Sequence, residues 1–452
     1  MTILTENTKL TTTELIAMIL KTIKEAKDSI ESEKKLFHFF KRLGCELLQL
    51  ALEILDKELY ETVYKKRGYK VERIDSRTIY CTFGELTYRR RLLKKEGAKS
   101  IYPLDHKMGF DARKHYSLGA MALIAKNMAK TTARNASEML QDLAHITVSH
   151  QTVVNIKNCV GQRIRDYEEK KADEEPKLKE VVKDGIIAIE GDGIVMKGKE
   201  GGKKEELHRV QIYTGVKKNG NRTELTGAHY FEGLDRKALV CRVTRFIQKH
   251  YDLANLTVLS NGDGGAGYQF SDFDDMVAGC KIHHHFRDLY HVNKKIRTRL
   301  SFCSKEFVDT MVRDLFDVIH NIRPWLDTAL SFAKTEKDIE QVAKLEAYIE
   351  RNKAYIPTLK QRGIKTNIHL GTAETNHRCY SYRLKRQGRV WSHSGLDYMA
   401  AVLTALKNGE LDEALMYREY GKSYKKNDRA MNTAARGALK AVYSTLSASQ
   451  KR

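Results

Sequence analysis

Disulfide chemistry and membrane insertion are both poorly provided for in this sequence. Its seven cysteines, Cys45, Cys81, Cys159, Cys241, Cys280, Cys303 and Cys379, are odd in number and include no C-x-x-C pair. A disulfide framework is excluded, and a reducing cytosol fits. No run of about 18 apolar residues occurs, so no membrane span is expected. The opening residues, MTILTENTKLTTTEL, have neither the basic nor the apolar segment of a signal peptide; a cytoplasmic protein without a membrane partner is expected. Internal repeats and low-complexity tracts are missing too, and prolines number only four. Negative charge is short: 58 Asp plus Glu face 80 Lys plus Arg, a formal charge of +22. Such a field favours a polyanion, and nucleic acid is the commonest one. What is plentiful is apolar residue, 41% of 452, and cores stop growing near about 250 to 300 residues, so two or three domains are expected.

Residues 1–115 read as a mainly helical region with a β-hairpin. The Thr11–Thr13 cluster is a natural helix cap, and apolar residues from Leu15 to Ile23 and from Leu43 to Leu59 fall at helical spacing. TIYCTF and LTYRRRLL, separated by Gly84 and Glu85, read as the hairpin, with Arg89, Arg90 and Arg91 offered to phosphates or to a solvated edge. Residues 116–165 have a helix-turn-helix rhythm. A helix from Ala136 to His145, a buried Val148 and a cap at Ser149 precede a second helix whose exposed face would show His150, Gln151, Asn155 and Lys157 to a DNA groove. A charged stretch at 166–184 reads as a linker.

Beyond it, strands are expected at Ile186–Glu190, Leu207–Gly215, Glu224–Phe231, Thr257–Leu259 and around Lys281–His284, with a helix from Asp235 to His250. Short links between the first three suggest an antiparallel meander, and the helix before the fourth suggests a parallel crossover: a mixed α/β sheet over 185–291, completed by 366–410. Two of these strands end in glycine-flanked aspartates, Asp192 in EGDG and Asp263 in NGDGG. If the strands are neighbours the carboxylates converge, and two divalent ions, Mg²⁺ or Mn²⁺, would relieve their repulsion and suit phosphoryl transfer. Glu374, in GTAETNHR near the start of a candidate helix, is the third carboxylate; Arg378, Arg383, Lys385, Arg386 and Arg389 follow it and could hold phosphates. Cys280 and His283 have ligand spacing but no second such pair, so the histidines of GCKIHHHFRDLYH are read as packing or hydrogen bonding near the centre. The 111 positions between Asp263 and Glu374 require an excursion, read as a helical insertion at 292–365. A basic helical tail is expected at 411–452.

The ordered set IEGDG, LSNGDGGAGY, FRDLYHVNKKI and GTAETNHRCYSYRLKRQGRVWS, with CTFGELTYRRR and YPLDHKMGF before it, resembles the bacterial ISLre-type insertion-sequence transposases, relatives of the Mutator-type DDE transposases. The resemblance implies an RNase H-like core with a helical insertion before its last catalytic helix. It implies Asp192, Asp263 and Glu374 as the catalytic, metal-holding triad, and Asp288 and His291 as the D-x-x-H element supporting the core. The chain departs from that pattern in RQGRVWS, which lacks the usual Arg-Pro, and in Leu289 and Tyr290. The implied activity is binding of element ends, metal-dependent cleavage and strand transfer by a homo-oligomer on double-stranded DNA, at the bacterial nucleoid. A nuclease or resolvase without strand transfer, and a domesticated DNA-binding regulator, are the alternatives.

Overall fold

The computed structural model describes residues 11–417 except 145, 175–178, 200–203, 221, 266 and 387–388. Two compact units divide it, one reaching to Cys81 and resuming over Glu85–Gly119, the other spanning Ala120–Leu411. In the first, α1 (Thr12–Lys24) starts at a capping box in which Thr11 accepts from Glu14 N and the Glu14 carboxylate returns to Thr11 N at 2.7 Å. Helix α2 (Ser29–Leu59) is capped by Asp28 and so begins well ahead of its apolar half. The hairpin β1 (Lys70–Cys81) and β2 (Gly84–Lys94) turns Ile79, Leu86 and Tyr88 onto Leu52 and Leu59 of α2 and Leu104 of α3 (Pro103–Met108).

The arginines of β2 have carboxylate partners inside this unit. Arg89 meets Glu53 and Arg91 meets Asp56, both on α2, while Arg90 and Arg77 converge on buried Asp105. Arg89 stays exposed, but Arg90 and Arg91 are largely enclosed, a placement that sequence alternation does not reveal because the acids come from other elements.

The second unit opens with α4 (Leu118–Lys130), α5 (Ala133–Ala144) and α6 (His150–Asp173). Ser149 caps α6, accepting from Thr152 N, and Val148, Val153 and Ile156 are buried. His150, Gln151 and Asn155 are exposed as expected. Lys157 is not: it is 1% exposed and donates to the Gly395 carbonyl at 3.0 Å. The reason is helical spacing, since 157 stands four residues after Val153 and three before Val160, on the apolar stripe. The expected linker at 166–184 is likewise helical as far as Asp173. Ile164 and Tyr167 continue the stripe, and Arg165 reaches Glu232 at 3.0 Å and Asp397 at 2.6 Å.

The sheet strands are longer than expected: β3 (Ile186–Lys197) and β4 (Lys204–Tyr213) lead into a small separate hairpin, β5 (Gly215–Asn219) and β6 (Arg222–Thr226). The single strand expected over Glu224–Phe231 is broken at Gly227, whose φ of +58° separates β6 from β7 (His229–Gly233). Helix α7 (Arg236–His250) crosses over to β8 (Thr257–Gly262), and α8 (Phe270–Met276) leads to β9 (Ile282–Arg287). The five-stranded sheet runs β7-β4-β3-β8-β9; β4 is antiparallel to both neighbours, and β8 and β9 follow β3 in parallel. One face is apolar: Ile187, Ile189, Ile212 and Val258 pack on Val243 and Ile247 of α7 and Phe273 of α8. Each such side chain, fully buried, contributes roughly 1.5 to 3 kcal/mol. The opposite face is polar and buried, with Glu190, Asp192, Arg209, Gln211, Glu232 and Asn261.

After β9 come α9 (Leu289–Arg299), α10 (Lys305–Arg313), α11 (Leu315–His320), α12 (Arg323–Ser331) and α13 (Glu336–Asn352), which surround a core of their own including Ile296, Met311, Val318 and Leu345. The chain then returns to the polar face of the sheet as α14 (Ala373–Tyr380) and α15 (His393–Asn408). Helix α16 (Leu411–Met416) is the last described element; the tail expected at 411–452 lies outside the described residues from 418 onward.

Candidate metal centre

Strands β3 and β8 run side by side in parallel, and their last paired residues are Gly191 and Gly262. Asp192 follows Gly191 on β3 and Asp263 follows Gly262 just past the end of β8, so matched register brings the two carboxylates together. Asp192 does not lie past the end of its strand, however. β3 continues to Lys197 paired with β4, where Asp192 faces Arg209, while β8 stops and leaves that side of β3 open. The glycines serve this geometry. A Cβ on Gly191 would stand 2.6 Å from the Tyr268 ring and one on Gly262 2.6 Å from the Tyr268 carbonyl. They admit the returning loop, with its turn at Gly264 (φ +76°).

Helix α14 delivers Glu374 in its first turn and His377 one turn on. Two trios of donor atoms result: Asp192 with Asp263 and His291, and Asp192 with Glu374 and His377, the atoms of each lying within 4.8 Å of one another. Asp192 belongs to both. It is buried, receives the Gly193 N–H at 2.7 Å, and stands 3.5 Å from His377 Nδ1. Burial, with the Asp263 charge next to it, raises its carboxyl to about 7. A group that keeps a proton for want of a counter-charge is where a divalent cation fits, and carboxylate oxygens with imidazole nitrogens are a competent donor set. Burial, then Arg209, lowers His377 to about 2, which leaves its imidazole neutral.

His291 is held by Asp288, which caps α9 by accepting from Tyr290 N at 2.8 Å and His291 N at 3.3 Å, and whose carboxylate lies 3.6 Å from His291 Nδ1. That carboxylate raises the imidazole pKa, and Asp192 adds to the shift. Burial works against ionisation of Asp288, yet the His291 contact and these N–H groups hold it below its ordinary value.

A residue that sequence reasoning passed over secures the arrangement. Glu190, two positions before Asp192, is 0% exposed, and its carboxylate accepts from several donors. Its Oε1 receives Tyr213 Oη at 2.7 Å, Gln211 Nε2 at 3.2 Å and Thr372 Oγ1 at 2.6 Å; its Oε2 receives Asn261 Nδ2 at 2.9 Å and the Gly371 N–H at 2.7 Å. The Thr372 N–H reaches Oε2 at 3.1 Å. The carboxylate thus ties β3, β4 and β8 to the two residues that precede α14, and so sets where Glu374 stands.

Of the cations behind Glu374, Arg378, Lys385 and Arg386 are exposed. Arg383 is not available to a phosphate: it is 3% exposed, donates to the Met128 carbonyl at 2.8 Å, and burial lowers it to about 9. It stands three residues after buried Tyr380, so helical spacing turns it toward the same side. Arg389 is half-buried and donates to the Arg383 carbonyl at 2.5 Å. Arg378 and Arg386 line an open groove of about 830 Å³ with Lys130 and Lys407. Asp263 and His291 border a second groove, of about 620 Å³, lined also by Lys294, Lys295, Arg299 and Arg351. His283 and His285 share the Ser260 hydroxyl at 2.7 and 2.8 Å, on the face of the sheet away from Glu190.

A family model described as "Uncharacterised protein family (UPF0236)" matches residues 23–420. The "UPF0236 protein in vanSb 3'region" of Streptococcus gallolyticus is 33% identical over 399 residues, 87% of this chain and 86% of its own length. A UPF0236 protein of Caldanaerobacter subterraneus subsp. tengcongensis, whose name carries eleven designations, is 24% identical over 413 residues, 87% and 82% of the two chains. Another from that organism, with four designations, is 24% identical over 400 residues, 86% and 79%.

Because the folded protein holds the Asp192 proton more tightly than an unfolded chain with its ordinary 3.8, metal-free stability falls as pH rises from about 4 toward 7. Calorimetric melting at stepped pH should show this fall, Asp192→Asn should flatten it, and Mn²⁺ should bind more tightly as pH rises toward 7; parallel profiles for the two proteins would refute the assignment. Glu190→Gln places an N–H₂ against donors, so it should cost about 1 to 3 kcal/mol in denaturant titrations and speed amide exchange at Gly371 and Thr372. Unchanged exchange there would mean that the start of α14 is held by something else.

Proposed function

The chain belongs to the UPF0236 family, and from that premise we propose that it is a DDE-type DNA transposase built on an RNase H-like core, cutting element ends and joining them to target DNA. The observation that carries this reading is that one buried aspartate, Asp192, belongs to two adjoining donor trios. Asp192, Asp263 and Glu374 would hold two ions, Mg²⁺ or Mn²⁺, with His291 and His377 beside them. When bound, such a pair activates the attacking oxygen and stabilises the leaving one in a phosphoryl transfer. The chain's own part is positioning: matched register sets Asp192 against Asp263, Glu190 sets Glu374, and Asp288 sets His291.

Two basic grooves, one along α14 with Arg378 and Arg386 and one beside Asp263 with Lys294, Lys295 and Arg351, are suited to the phosphates of a DNA substrate. The pair α5 and α6, with His150, Gln151 and Asn155 exposed, supports base reading by a helix-turn-helix; Lys157 is withdrawn from that face. Double-stranded DNA, as element end and as target, would be the partner of a homo-oligomer. The names of the relatives favour a mobile element: one protein carrying eleven designations in one organism is what a sequence present in many copies would receive.

Asp192→Ala, Asp263→Ala and Glu374→Ala should each abolish divalent-ion-dependent cleavage of an end-bearing duplex while retention on that duplex in gel shifts stays near normal. Cleavage surviving the Glu374 change would remove it from the site, and cleavage by the native protein without any joined product would favour a nuclease. For the groove, Arg378→Ala with Arg386→Ala should flatten the plot of log affinity against log salt by up to about two units, alike for all sequences. Arg383→Ala should instead lower the melting temperature and leave the slope alone; the reverse pattern would place Arg383 at the DNA.

A further inference from the structure

His377 has no part in the three-carboxylate reading, yet its surroundings are those of a ligand. It is 4% exposed, makes no hydrogen bond among the described residues, and turns Nδ1 toward Asp192 Oδ2 at 3.5 Å. One of its nitrogens lies within 4.8 Å of carboxylate oxygens of both Asp192 and Glu374. It shares α14 with Glu374 at a spacing of three residues, so both side chains project from one face of the helix toward β3. A buried imidazole normally finds a hydrogen-bond partner, and this one faces two carboxylates across a gap wider than a hydrogen bond. The Tyr380 ring, one turn further along α14, carries the Arg209 guanidinium 3.9 Å from its centroid, so that end of the helix is fixed by packing.

Resting on the two-ion reading, we infer that His377 is a nitrogen ligand of the ion held between Asp192 and Glu374, and that this position selects a transition ion such as Mn²⁺ over Mg²⁺. Magnesium takes oxygen donors in a near-ideal octahedron and sheds water reluctantly. Imidazole suits first-row transition ions, whose affinity for a mixed nitrogen and oxygen site exceeds that of Mg²⁺.

The test uses the full chain and metal alone, without DNA. Pulsed electron paramagnetic resonance on stoichiometric Mn²⁺ should show ¹⁴N modulation from directly bound imidazole. The modulation should persist in His291→Gln, where His377 is the one imidazole left in the two trios, and should weaken in His377→Gln. Calorimetric titration should show Mn²⁺ binding weakened about tenfold or more by His377→Gln, since losing even a supporting contact to a ligand costs that much, with a smaller loss for Mg²⁺. Should His377→Gln fail to fold, as melting would reveal, the His291→Gln spectrum decides alone. Absence of ¹⁴N modulation in His291→Gln, or Mn²⁺ affinity unchanged in a folded His377→Gln, overturns the ligand assignment while leaving the carboxylates in place. Absence of any Mn²⁺ or Mg²⁺ binding by the native chain overturns the two-ion reading along with it.

Discussion

The site depends on a buried carboxylate that does no chemistry. Glu190 is ionisable, fully enclosed, and stable there because donors from β3's neighbours and from the start of α14 converge on its two oxygens. An unpaired charge in that position would be prohibitive, so the arrangement is all or nothing: each donor must arrive for the carboxylate to stay buried. The dependence also runs the other way. Gly371 and Thr372 present N–H groups at the head of a helix, and without an acceptor these would be orphaned in the interior. One residue on the strand thereby fixes the helix that carries Glu374 and His377, while its neighbour two positions on faces the same helix as Asp192.

A row of alternating charge extends the same logic across the sheet. Arg209 on β4 faces Glu232 on β7, and Glu232 takes Arg165 from α6, itself joined to Asp397 on α15. Neighbouring positions of opposite sign on adjacent strands stabilise one another where like charges would not. The row draws cations inward, which is why a formal charge of +22 is a poor map of any anion-binding surface. Lys157 and Arg383 are interior, Arg90 and Arg91 answer acids in their own unit, and Lys294, Lys295, Arg378 and Arg386 are among the cations that line the two grooves.

The sheet and the convergence of Asp192 with Asp263 were legible because local signals agreed: apolar runs, glycine-flanked acids, and a helix of crossover length between the third and fourth strands. The extra length before Glu374 announced the helical excursion in the same way. Glu190 was not legible. In an apolar run it reads as the residue that ends a strand, and its partners lie far off in the chain. Lys157 and Arg383 misled because residue type was weighed above helical position: each stands three or four residues from a fully buried side chain of its own helical run. In each case the missing information was tertiary: a polar residue is exposed or buried according to what another segment offers it.

The separation of Glu190 from Gly371 is 181 positions, with the sheet's other four strands and the whole helical excursion between them. Ribosomes add roughly 5 to 20 residues per second, so on the order of ten to forty seconds pass between synthesis of the strand bearing Asp192 and emergence of the helix that completes the cluster. A prematurely terminated chain that stopped after β9 and before α14 would carry two of the three carboxylates and a strand whose buried acid has lost half its donors. Only a chain translated past α14 can bring Glu374 and His377 to Asp192.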